Sequence, residues 1–498
     1  MLDSRTLWLA LDIGTTGAKA ALIAPDGQVV RSAYRDYASH IGEGGVFEQN
    51  ADDWWQAVVD VCRELAASDE YNRVDGVALT GQMQDVILVD EEGSPLHPVI
   101  LYSDTRARAE ADEILQRVGA ERLRNLTGND QDAGGLLAKL VWLKRHRPDT
   151  LSSARCLLLG AADFVALKMT GAAVTDTTTA STTGLMDIHT RAPLDRSIFD
   201  ELGIGDAFPL LPPMSAGGAR AGALTESAAN ILGLTPGMPV HHGPGDAGAT
   251  TIGAGSGEPG RVYAYLGTSG WIAFTSPERA AWEHGAFTLA HPKADRYIQI
   301  APLLTAGGNL EWVRDLFGAD DYEHLVEQAA RRPPANVLYL PYLNGERCPF
   351  RDPLARGAFV GMDGRTTKED LYRAVLEGVV FAYRHALDSL LSASAITLTG
   401  GGARSHWWCQ LFADILNLSV AVAADAENVG VRGAALAARV ASGELDTYSP
   451  PGYFPSKVTL QPDERQRQHF DDQYALFRDL YPALRPTFAR LSRGVASV

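Results

Sequence analysis

Cysteines are few in this sequence, and long apolar runs are absent. The four cysteines, among 498 residues, are far apart and form no CxxC pair, so no disulfide framework is expected. No apolar stretch approaches the roughly 20 residues that cross a bilayer. The first strand-like run follows Met1–Arg5 directly, which leaves no room for a signal peptide. We therefore expect a cytoplasmic protein with reduced thiols and no membrane partner.

Basic residues are also scarce relative to acidic ones. The chain has 44 Lys and Arg against 61 Asp and Glu, which gives a net charge of −17. Nucleic acids and anionic membranes bind basic surfaces, so neither is expected as a partner. An anionic substrate such as ATP would need local backbone donors and Mg²⁺ to hold it against this overall charge.

The common nucleotide-binding signatures are missing. The chain has no GxxxxGK[ST] motif, which excludes a P-loop enzyme, and it lacks the HRD and DFG elements of protein kinases. GxGxxG is matched formally at 243–248 and 255–260. Neither match has the full context of a dinucleotide site, which needs a strand before it, a helix after it and an acidic residue downstream. A dinucleotide-dependent oxidoreductase therefore stays only as an alternative.

Two similar turns, half a chain apart, are the most informative feature that is present. Each interrupts a strand-like run, Trp8–Ile23 or Val262–Thr275, and each is predicted to close a β-hairpin. We expect their glycines to adopt positive φ and their amides and hydroxyls to form a nest for phosphate oxygens. The turn residues are Gly14, Thr15, Thr16 and Gly17 in the first half, and Gly267, Thr268, Ser269 and Gly270 in the second.

The order of elements around these turns predicts two α/β domains. In each half, a hairpin is followed by further strands and then by strands that alternate with helices. Thr366–Glu369 is predicted to be the capping box of a long helix, and Thr175–Thr183 is predicted to be extended. Gly243–Gly260 is the expected boundary, which gives domains at 1–250 and 251–498.

Asp246 and a glycine-rich loop are the remaining candidates for chemistry. Asp246 lies between glycines at the expected domain boundary, where it is placed to take the proton of a sugar hydroxyl; the alternative is a cap for the helix near Ala247. Gly400–Ser405 joins a strand to a helix, and its three glycines offer a surface for adenosine; tight packing alone is the alternative.

With these motifs in place, the chain resembles the FGGY carbohydrate kinases over essentially its whole length. Gly357–Met362, followed after seven residues by Asp370–Glu377, fits the family's C-terminal pattern, and Lys139–His146 is similar to the core of its N-terminal pattern. Leu136 stands where the family usually has Pro, Ser or Thr. The resemblance implies two actin-like, ribonuclease H-like ATPase domains with mixed central sheets flanking a cleft.

The resemblance also implies a reaction and a set of site residues. ATP and Mg²⁺ would serve a sugar kinase in which Asp246 is the catalytic base and Asp12 and Asp246 approach the metal. The residues expected to surround the sugar are Gln82, Met83, Tyr102, Asp104 and Asp246. The residues expected at ATP are Gly14, Thr15, Thr16, Gly267, Thr268, Ser269, Gly307, Asn309, Gly401, Gly402, Ala403 and Ser405.

Within the family, Thr80–Met83 and Pro98–Arg106 are most similar to the xylulokinases, which predicts conversion of xylulose to xylulose 5-phosphate. The xylulokinases usually have His-Gly where this chain has Gln84 and Asp85, and often Trp at Tyr102. Other pentuloses, hexuloses or polyols stay open, although the carboxylate of Asp85 disfavours an acidic sugar. An actin-like ATPase without sugar-kinase activity is the alternative from another class. A homodimer is compatible with the sequence, which does not fix the oligomeric state.

Overall fold

The computed structural model of the chain describes residues 6–318, 322–334, 336–390 and 393–495. The chain folds as two compact units. The first unit consists of Met1–Gly253, Thr288–Ile298 and Asn428–Phe454; the second consists of Ala254–Phe287, Gln299–Glu427 and Pro455–Val498. Two segments from the second half of the sequence thus belong to the first unit, and no composition shift marks them.

A six-stranded mixed sheet forms the centre of the first unit. Its strand order is Arg220–Ala223, Pro239–His242, Val74–Gly81, Leu7–Ile13, Gly17–Ile23 and Val29–Asp36. The second, third and fourth of these strands are parallel neighbours, and the remaining pairings are antiparallel. The predicted first hairpin is confirmed, with Asp12 opposite Lys19.

The central strand Leu7–Ile13 of this sheet is buried on both faces. Leu9, Leu11 and Ile13 point into a core that also contains residues of the helices Ala51–Leu65 and Ala161–Thr170. Trp8 and Ala10 alternate to the other face, where alanines and valines of the helix Val429–Ala441 pack. Because side chains alternate along a strand, one apolar run supplies both cores.

A second, smaller sheet of the first unit contains five strands. Their order is His40–Ile41, Phe47–Gln49, Val99–Ile100, Met83–Val89 and Cys156–Gly160. The pairing of the last two strands shifts register between Met83 and Ile87, and Gln84 within this shift has φ of 67°. Such a bulge redirects the side chains that follow it.

The second unit repeats the central pattern of the first. The strands Val262–Leu266 and Gly270–Ser276 form the predicted hairpin, and the first of them is parallel to Ala395–Thr399. That strand is parallel to Ser419–Ala423, which pairs with the antiparallel strand Ser456–Leu460. A hairpin, two parallel strands and an antiparallel edge therefore recur in both units. The likeness between the two halves of the sequence is thus also a likeness of topology.

The other described strands and helices complete the two units. The strands are Thr175–Asp176, Met186–Asp187, Ala192–Pro193, Met214–Ser215, Phe287–Ala290, Tyr297–Leu303, Leu338–Leu340 and Ala358–Val360. The helices are Arg108–Ile114, Ala120–Thr127, Leu136–His146, Pro148–Ser153, Thr177–Ala180, Arg196–Glu201, Glu226–Leu232, Asp246–Thr251, Gly308–Phe317, Tyr322–Ala330, Lys368–Leu390, His406–Leu416 and Arg467–Val495. Among the described residues, no helix is long and apolar enough to cross a membrane.

Two local predictions are wrong. Thr175–Thr183 is extended only at Thr175–Asp176, because Asp176 accepts hydrogen bonds from the amides of Thr178 and Thr179 and starts a short helix. The capping box of the long helix lies one residue later than predicted. There Asp370 accepts from the amide of Thr367 at 2.9 Å, and the hydroxyl of Thr367 accepts from the amide of Asp370 at 3.4 Å.

Candidate active site

Three parallel strands of the first unit carry predicted site residues at or just after their carboxyl ends. Asp12 lies at the end of Leu7–Ile13, Gln82 follows Val74–Gly81, and Asp246 follows Pro239–His242 after a short loop. The amide of Gly243 donates to the carbonyl of Leu79 at 2.6 Å, which fixes that loop beside the central strands. Carboxyl ends of adjacent parallel strands are common ligand-binding positions.

Asp12 and Asp246 form an acidic pair, in which both carboxylates have raised pKa values. Loss of hydration raises the pKa of Asp12 to about 6, against the opposing effect of Lys19. Loss of hydration, with a further contribution from Asp12, raises the pKa of Asp246 to about 7. The Oδ1 atom of Asp12 is buried without a hydrogen-bond partner, whereas Oδ1 of Asp246 accepts from the amide of Ala247 at 2.7 Å.

This pair fits a magnesium ion better than a metal held wholly by protein. Among the described residues, no group of three or more His, Cys, Asp and Glu side chains is arranged to hold a metal. Mg²⁺ prefers one or two carboxylates, several waters and substrate phosphates. The free oxygen of Asp12, with Asp246 nearby, provides that donor set.

Hydrogen bonds from two glutamine side chains, Gln82 and Gln49, hold the first turn in place. The hydroxyl of Thr15 donates to Gln82 Oε1 at 3.0 Å, and Gln82 Nε2 donates to Gln49 Oε1 at 3.0 Å. Gln49 in turn donates to the carbonyl of Thr15 at 2.7 Å. Gln82 is buried, so its amide supports the turn. Thr16 is exposed, and its hydroxyl accepts from Tyr34 at 3.2 Å.

None of the four turn glycines has positive φ, contrary to our expectation, and three of them, Gly17, Gly267 and Gly270, are needed for space. Gly14, Gly17, Gly267 and Gly270 are absent from the described glycines with positive φ. A Cβ on Gly17 would collide with Tyr34 and the carbonyl of Arg35, and one on Gly270 would collide with Tyr383. A Cβ on Gly14 would contact only the carbonyl of Gly17, at 3.6 Å. Gly14 therefore faces open space.

The other three residues predicted to contact the sugar, Asp104, Met83 and Tyr102, differ in their exposure. Both carboxylate oxygens of Asp104 accept hydrogen bonds from Arg106, at 2.7 to 3.0 Å, and Oδ2 also accepts from the amide of Phe47 at 2.6 Å. Asp104 is therefore engaged by protein. Met83 is partly exposed, and its sulfur lies against Gly245, where a Cβ would collide with it. Tyr102 is 44% exposed.

A buried network behind Asp246 was missed by the sequence analysis. His242 Nε2 lies 2.6 Å from Asp163 Oδ1, and His242 Nδ1 lies 3.5 Å from Asp176 Oδ2. Burial alone would lower the pKa of His242, but the two carboxylates raise it to about 9. The amide of Gly245 lies 3.5 Å from Asp176 Oδ2, so the network reaches the residue before Asp246. The pair of histidines at 241–242 was its only signal in the sequence.

In the second unit, the loop before the helix Gly308–Phe317 is bonded to the second turn. The amide of Gly307 donates to the carbonyl of Gly267 at 2.8 Å, and the amide of Gly308 donates to that of Thr268 at 2.9 Å. The side chain of Asn309 donates to the carbonyl of Thr305 at 2.9 Å and accepts from Tyr339 at 2.8 Å. The structure thus brings Gly307 and Asn309 to the turn as its supports. Thr268 and Ser269 are exposed.

The glycine-rich loop lies beside the same turn. Gly400 has φ of 90°, and a Cβ there would meet the backbone of Leu266, which precedes Gly267. Gly401 is exposed, with open space where a Cβ would be. Gly402 packs against the ring of Trp408, and the amide of Ala403 donates to the carbonyl of Gly400 at 3.2 Å. The hydroxyl of Ser405 accepts from the amide of Trp408 and caps the next helix.

Comparisons with known proteins identify the family of the chain. Residues 7–253 match the N-terminal domain, and residues 262–442 the C-terminal domain, of the FGGY family of carbohydrate kinases. The chain is 31% identical to the xylulose kinase of Klebsiella pneumoniae over 490 residues, 96% of this chain and 99% of that protein. It is 28% identical to the gluconokinase of Bacillus subtilis (strain 168) over 462 residues, 88% of each chain.

The fold comparison gives the same result. A crystal structure of a xyloylose kinase from Brucella ovis matches with a TM-score of 0.87 and 30% identity, over 97% of this chain and 100% of that chain. The predicted pair of actin-like α/β domains with mixed sheets is thereby confirmed. The matches also favour the sugar kinase over the ATPase and oxidoreductase alternatives. The chain belongs to the FGGY family of carbohydrate kinases, which phosphorylate sugars with ATP.

Proposed function

We propose that this kinase phosphorylates a small keto-sugar, first of all xylulose, to give xylulose 5-phosphate. The observation that carries the proposal is the position of Asp246. It follows the carboxyl end of the strand Pro239–His242, and Asp12 lies near the carboxyl end of the strand Leu7–Ile13 in the same sheet. With its pKa raised to about 7, Asp246 is a base matched to a hydroxyl group near neutral pH. The similarity to the xylulose kinase of Klebsiella pneumoniae supports the choice of sugar.

Asp246 takes the proton of the terminal hydroxyl as that oxygen attacks the γ-phosphorus in line. Gly14, Thr15 and Thr16, together with Gly267, Thr268 and Ser269, position the phosphates through amide and hydroxyl donors. The open space at Gly14 lets a phosphate approach the backbone. The network of Gln82 and Gln49 takes up the hydroxyl hydrogen of Thr15 and keeps this residue fixed, so the backbone of the turn needs no rearrangement when ATP binds.

Asp12 and Asp246 are the residues that would hold Mg²⁺, through water. When bound, the ion would neutralise the charge that develops on the phosphates. Asp12 keeps a buried oxygen free for this purpose. The adenosine would lie on Gly401, Gly402 and Ala403, with Ser405 fixing the end of that loop.

Other neutral sugars and polyols remain alternatives for the same site. A specific observation also keeps gluconate in view, since the gluconokinase of Bacillus subtilis is nearly as similar to this chain as the xylulose kinase. We further propose a cytoplasmic location, because all four cysteines are free thiols. A homodimer remains a prediction that light scattering can test.

A panel of pentuloses, hexuloses, polyols and gluconate, assayed for ADP release, tests the choice of sugar. We expect xylulose to have the highest kcat/KM. A different best substrate would reject xylulose while retaining the reaction, and ADP release independent of any sugar would reject the kinase itself.

Asp246→Asn tests the assigned base. We expect kcat to fall by about a hundredfold or more, because the hydroxyl loses its proton acceptor. ATP binding should persist. The variant should unfold at a temperature no lower than that of the parent, since burial disfavours the charge that is removed. Near-normal turnover would reassign Asp246 to helix capping.

A further inference from the structure

Asp85 is a buried carboxylate that the proposed mechanism does not use. It lies in the strand Met83–Val89, just after Gln84, whose φ of 67° accompanies the register shift of this strand. Its side chain is 0% exposed. Oδ1 accepts a hydrogen bond from the amide of Tyr102 at 3.2 Å, whereas Oδ2 has no hydrogen-bond partner among the described residues. The bulge therefore directs into the protein a carboxylate that is only half satisfied.

The neighbours of Asp85 include both a cation and residues of the candidate site. Lys139 is also fully buried, and its ammonium donates to the carbonyl of Leu101 at 2.6 Å. Burial raises the pKa of Asp85 well above its usual value; Lys139 opposes this effect, and Asp246 adds to it. Asp85 thus bonds to the backbone of Tyr102 and lies within electrostatic range of Asp246. Both of these residues were predicted to contact the sugar.

A buried acceptor without a partner is uncommon in a native protein, because the group has lost its hydrogen bonds to water. A ligand that donates a hydrogen bond removes this penalty. Sugar hydroxyls are such donors, and a hydrogen bond to a charged acceptor is stronger than one to a neutral acceptor. A sugar acid would instead bring a second carboxylate into a poorly hydrated region, where like charges repel strongly.

We propose that Asp85 determines substrate specificity by accepting, at Oδ2, a hydrogen bond from a hydroxyl group of a neutral sugar. The inference rests on the proposed function, because it places the sugar beside Tyr102 and Asp246. The site then accepts uncharged ketoses and polyols and rejects sugar acids. In this position Lys139 opposes the effect of burial on the pKa of Asp85 and so favours the charged form of the acceptor.

A double-mutant cycle between protein and sugar tests the contact. The protein forms are the parent and Asp85→Asn. The sugars are xylulose, analogues in which each hydroxyl other than the phosphorylated one is in turn replaced by hydrogen, and gluconate. We expect Asp85→Asn to reduce kcat/KM for xylulose by about tenfold or more, chiefly through KM. Loss of one particular hydroxyl should reduce kcat/KM of the parent by about tenfold and that of the variant by less than about twofold.

The ratio of kcat/KM for xylulose over that for gluconate should also fall by about tenfold or more in Asp85→Asn. Asp90→Asn is the matched control, since Asp90 follows the same strand and accepts from the amides of Glu92 and Ser94 in an exposed turn. That variant should keep the parent's ratio. If Asp85→Asn does not fold, Asp85→Ser is used for the same cycle.

Equal losses in the parent and the variant for every hydroxyl would show that Asp85 does not contact the sugar and serves only as a partner of Lys139. If xylulose is not the substrate, the result is different, because the parent then has low activity with xylulose itself. In that case the cycle is run with the best neutral substrate of the panel. A parent that phosphorylates only gluconate would overturn both proposals.

Discussion

At the scale of single residues, the stability of the protein and its function place opposite demands on the acidic pair Asp12 and Asp246. Both carboxylates have raised pKa values because they have lost hydration and, for Asp246, because Asp12 is near. Folding therefore works against the charged forms that the reaction needs. An enzyme accepts such a conflict where a base must be available near neutral pH and a metal ion must find a free oxygen.

The pH dependence of the reaction follows from this pair. Asp246 must be ionised to accept a proton, so kcat/KM should rise with pH and level off above about 7, the raised pKa of Asp246. Below that pH the carboxylate is protonated and activity falls about tenfold for each pH unit. A kinetic profile from about pH 5 to pH 8 checks this, with sugar and ATP both below saturation. A flat profile over this range, as expected if the pKa of Asp246 lay near the ordinary Asp value of 3.8, would show that Asp246 is not a base with a raised pKa.

At the scale of elements, the two hairpin turns make separable predictions. Gly14→Val should weaken ATP binding, because the added side chain occupies the open space that a phosphate would use. Sugar binding without nucleotide should be unchanged. Isothermal titration with each ligand measures both effects. Lost sugar affinity with normal ATP affinity would mean that the turn binds the other ligand.

Gly267→Val is the informative comparison. A Cβ at Gly267 would collide with the ring of Tyr265, so this variant should lose thermal stability as well as ATP affinity. Gly14→Val should melt close to the parent temperature, since its Cβ meets only the carbonyl of Gly17 at 3.6 Å. The pair separates the effect of blocking a ligand from that of disturbing the hairpin.

His242 joins three elements through the carboxylates of Asp163 and Asp176, and His242→Ala should destabilise the first unit. Removing one partner from a buried ionic network leaves uncompensated charge and costs about 3–5 kcal/mol. Urea unfolding near pH 7 measures it. His241→Ala is the control. The ring of His241 packs against Trp8 and its Nδ1 atom bonds to the neutral carbonyl of Gly218 at 2.7 Å, so its loss leaves no buried carboxylate uncompensated and should cost clearly less.

The sign of the pH effect on His242 follows from its raised pKa. Its contribution to the free energy of unfolding is fully present below its ordinary value of 6.5 and is lost as pH rises through about 9. The difference between the parent and His242→Ala should therefore shrink by about pH 10. An undiminished difference at that pH would show that the imidazole acts by packing and not by charge.

These elements also show what the sequence could and could not predict. Both hairpins were predictable, because an apolar run interrupted by glycines and hydroxyl residues is a local signal. The network around His242 was not, since His242 and Asp163 are 79 residues apart and neither has a distinctive neighbourhood. The prediction that Thr175–Thr183 is extended was wrong for a related reason. Asp176 overrides the β propensity of the threonines by capping a helix, a side-chain effect that propensity does not include.

At the scale of the whole molecule, the duplicated topology raises the question of how two units serve one reaction. Each unit carries one turn with exposed hydroxyl residues, Thr16 in the first unit and Thr268 and Ser269 in the second. If both turns bind the same polyphosphate, the reaction requires the two units to act together on one ATP molecule. An arrangement that formed without sugar would let water reach the γ-phosphorus and would waste ATP.

We therefore expect the two units to close when sugar and ATP are both bound. Small-angle scattering should report a smaller radius of gyration with xylulose and a nonhydrolysable ATP analogue together than with no ligand. Hydrolysis of ATP without sugar should be slow relative to phosphorylation of the sugar, because water does not supply the contacts that complete the site. Gly14→Val, which blocks the phosphates, should show no compaction. Unchanged dimensions with both ligands, together with rapid hydrolysis in the absence of sugar, would contradict closure and favour an ATPase that works without a sugar.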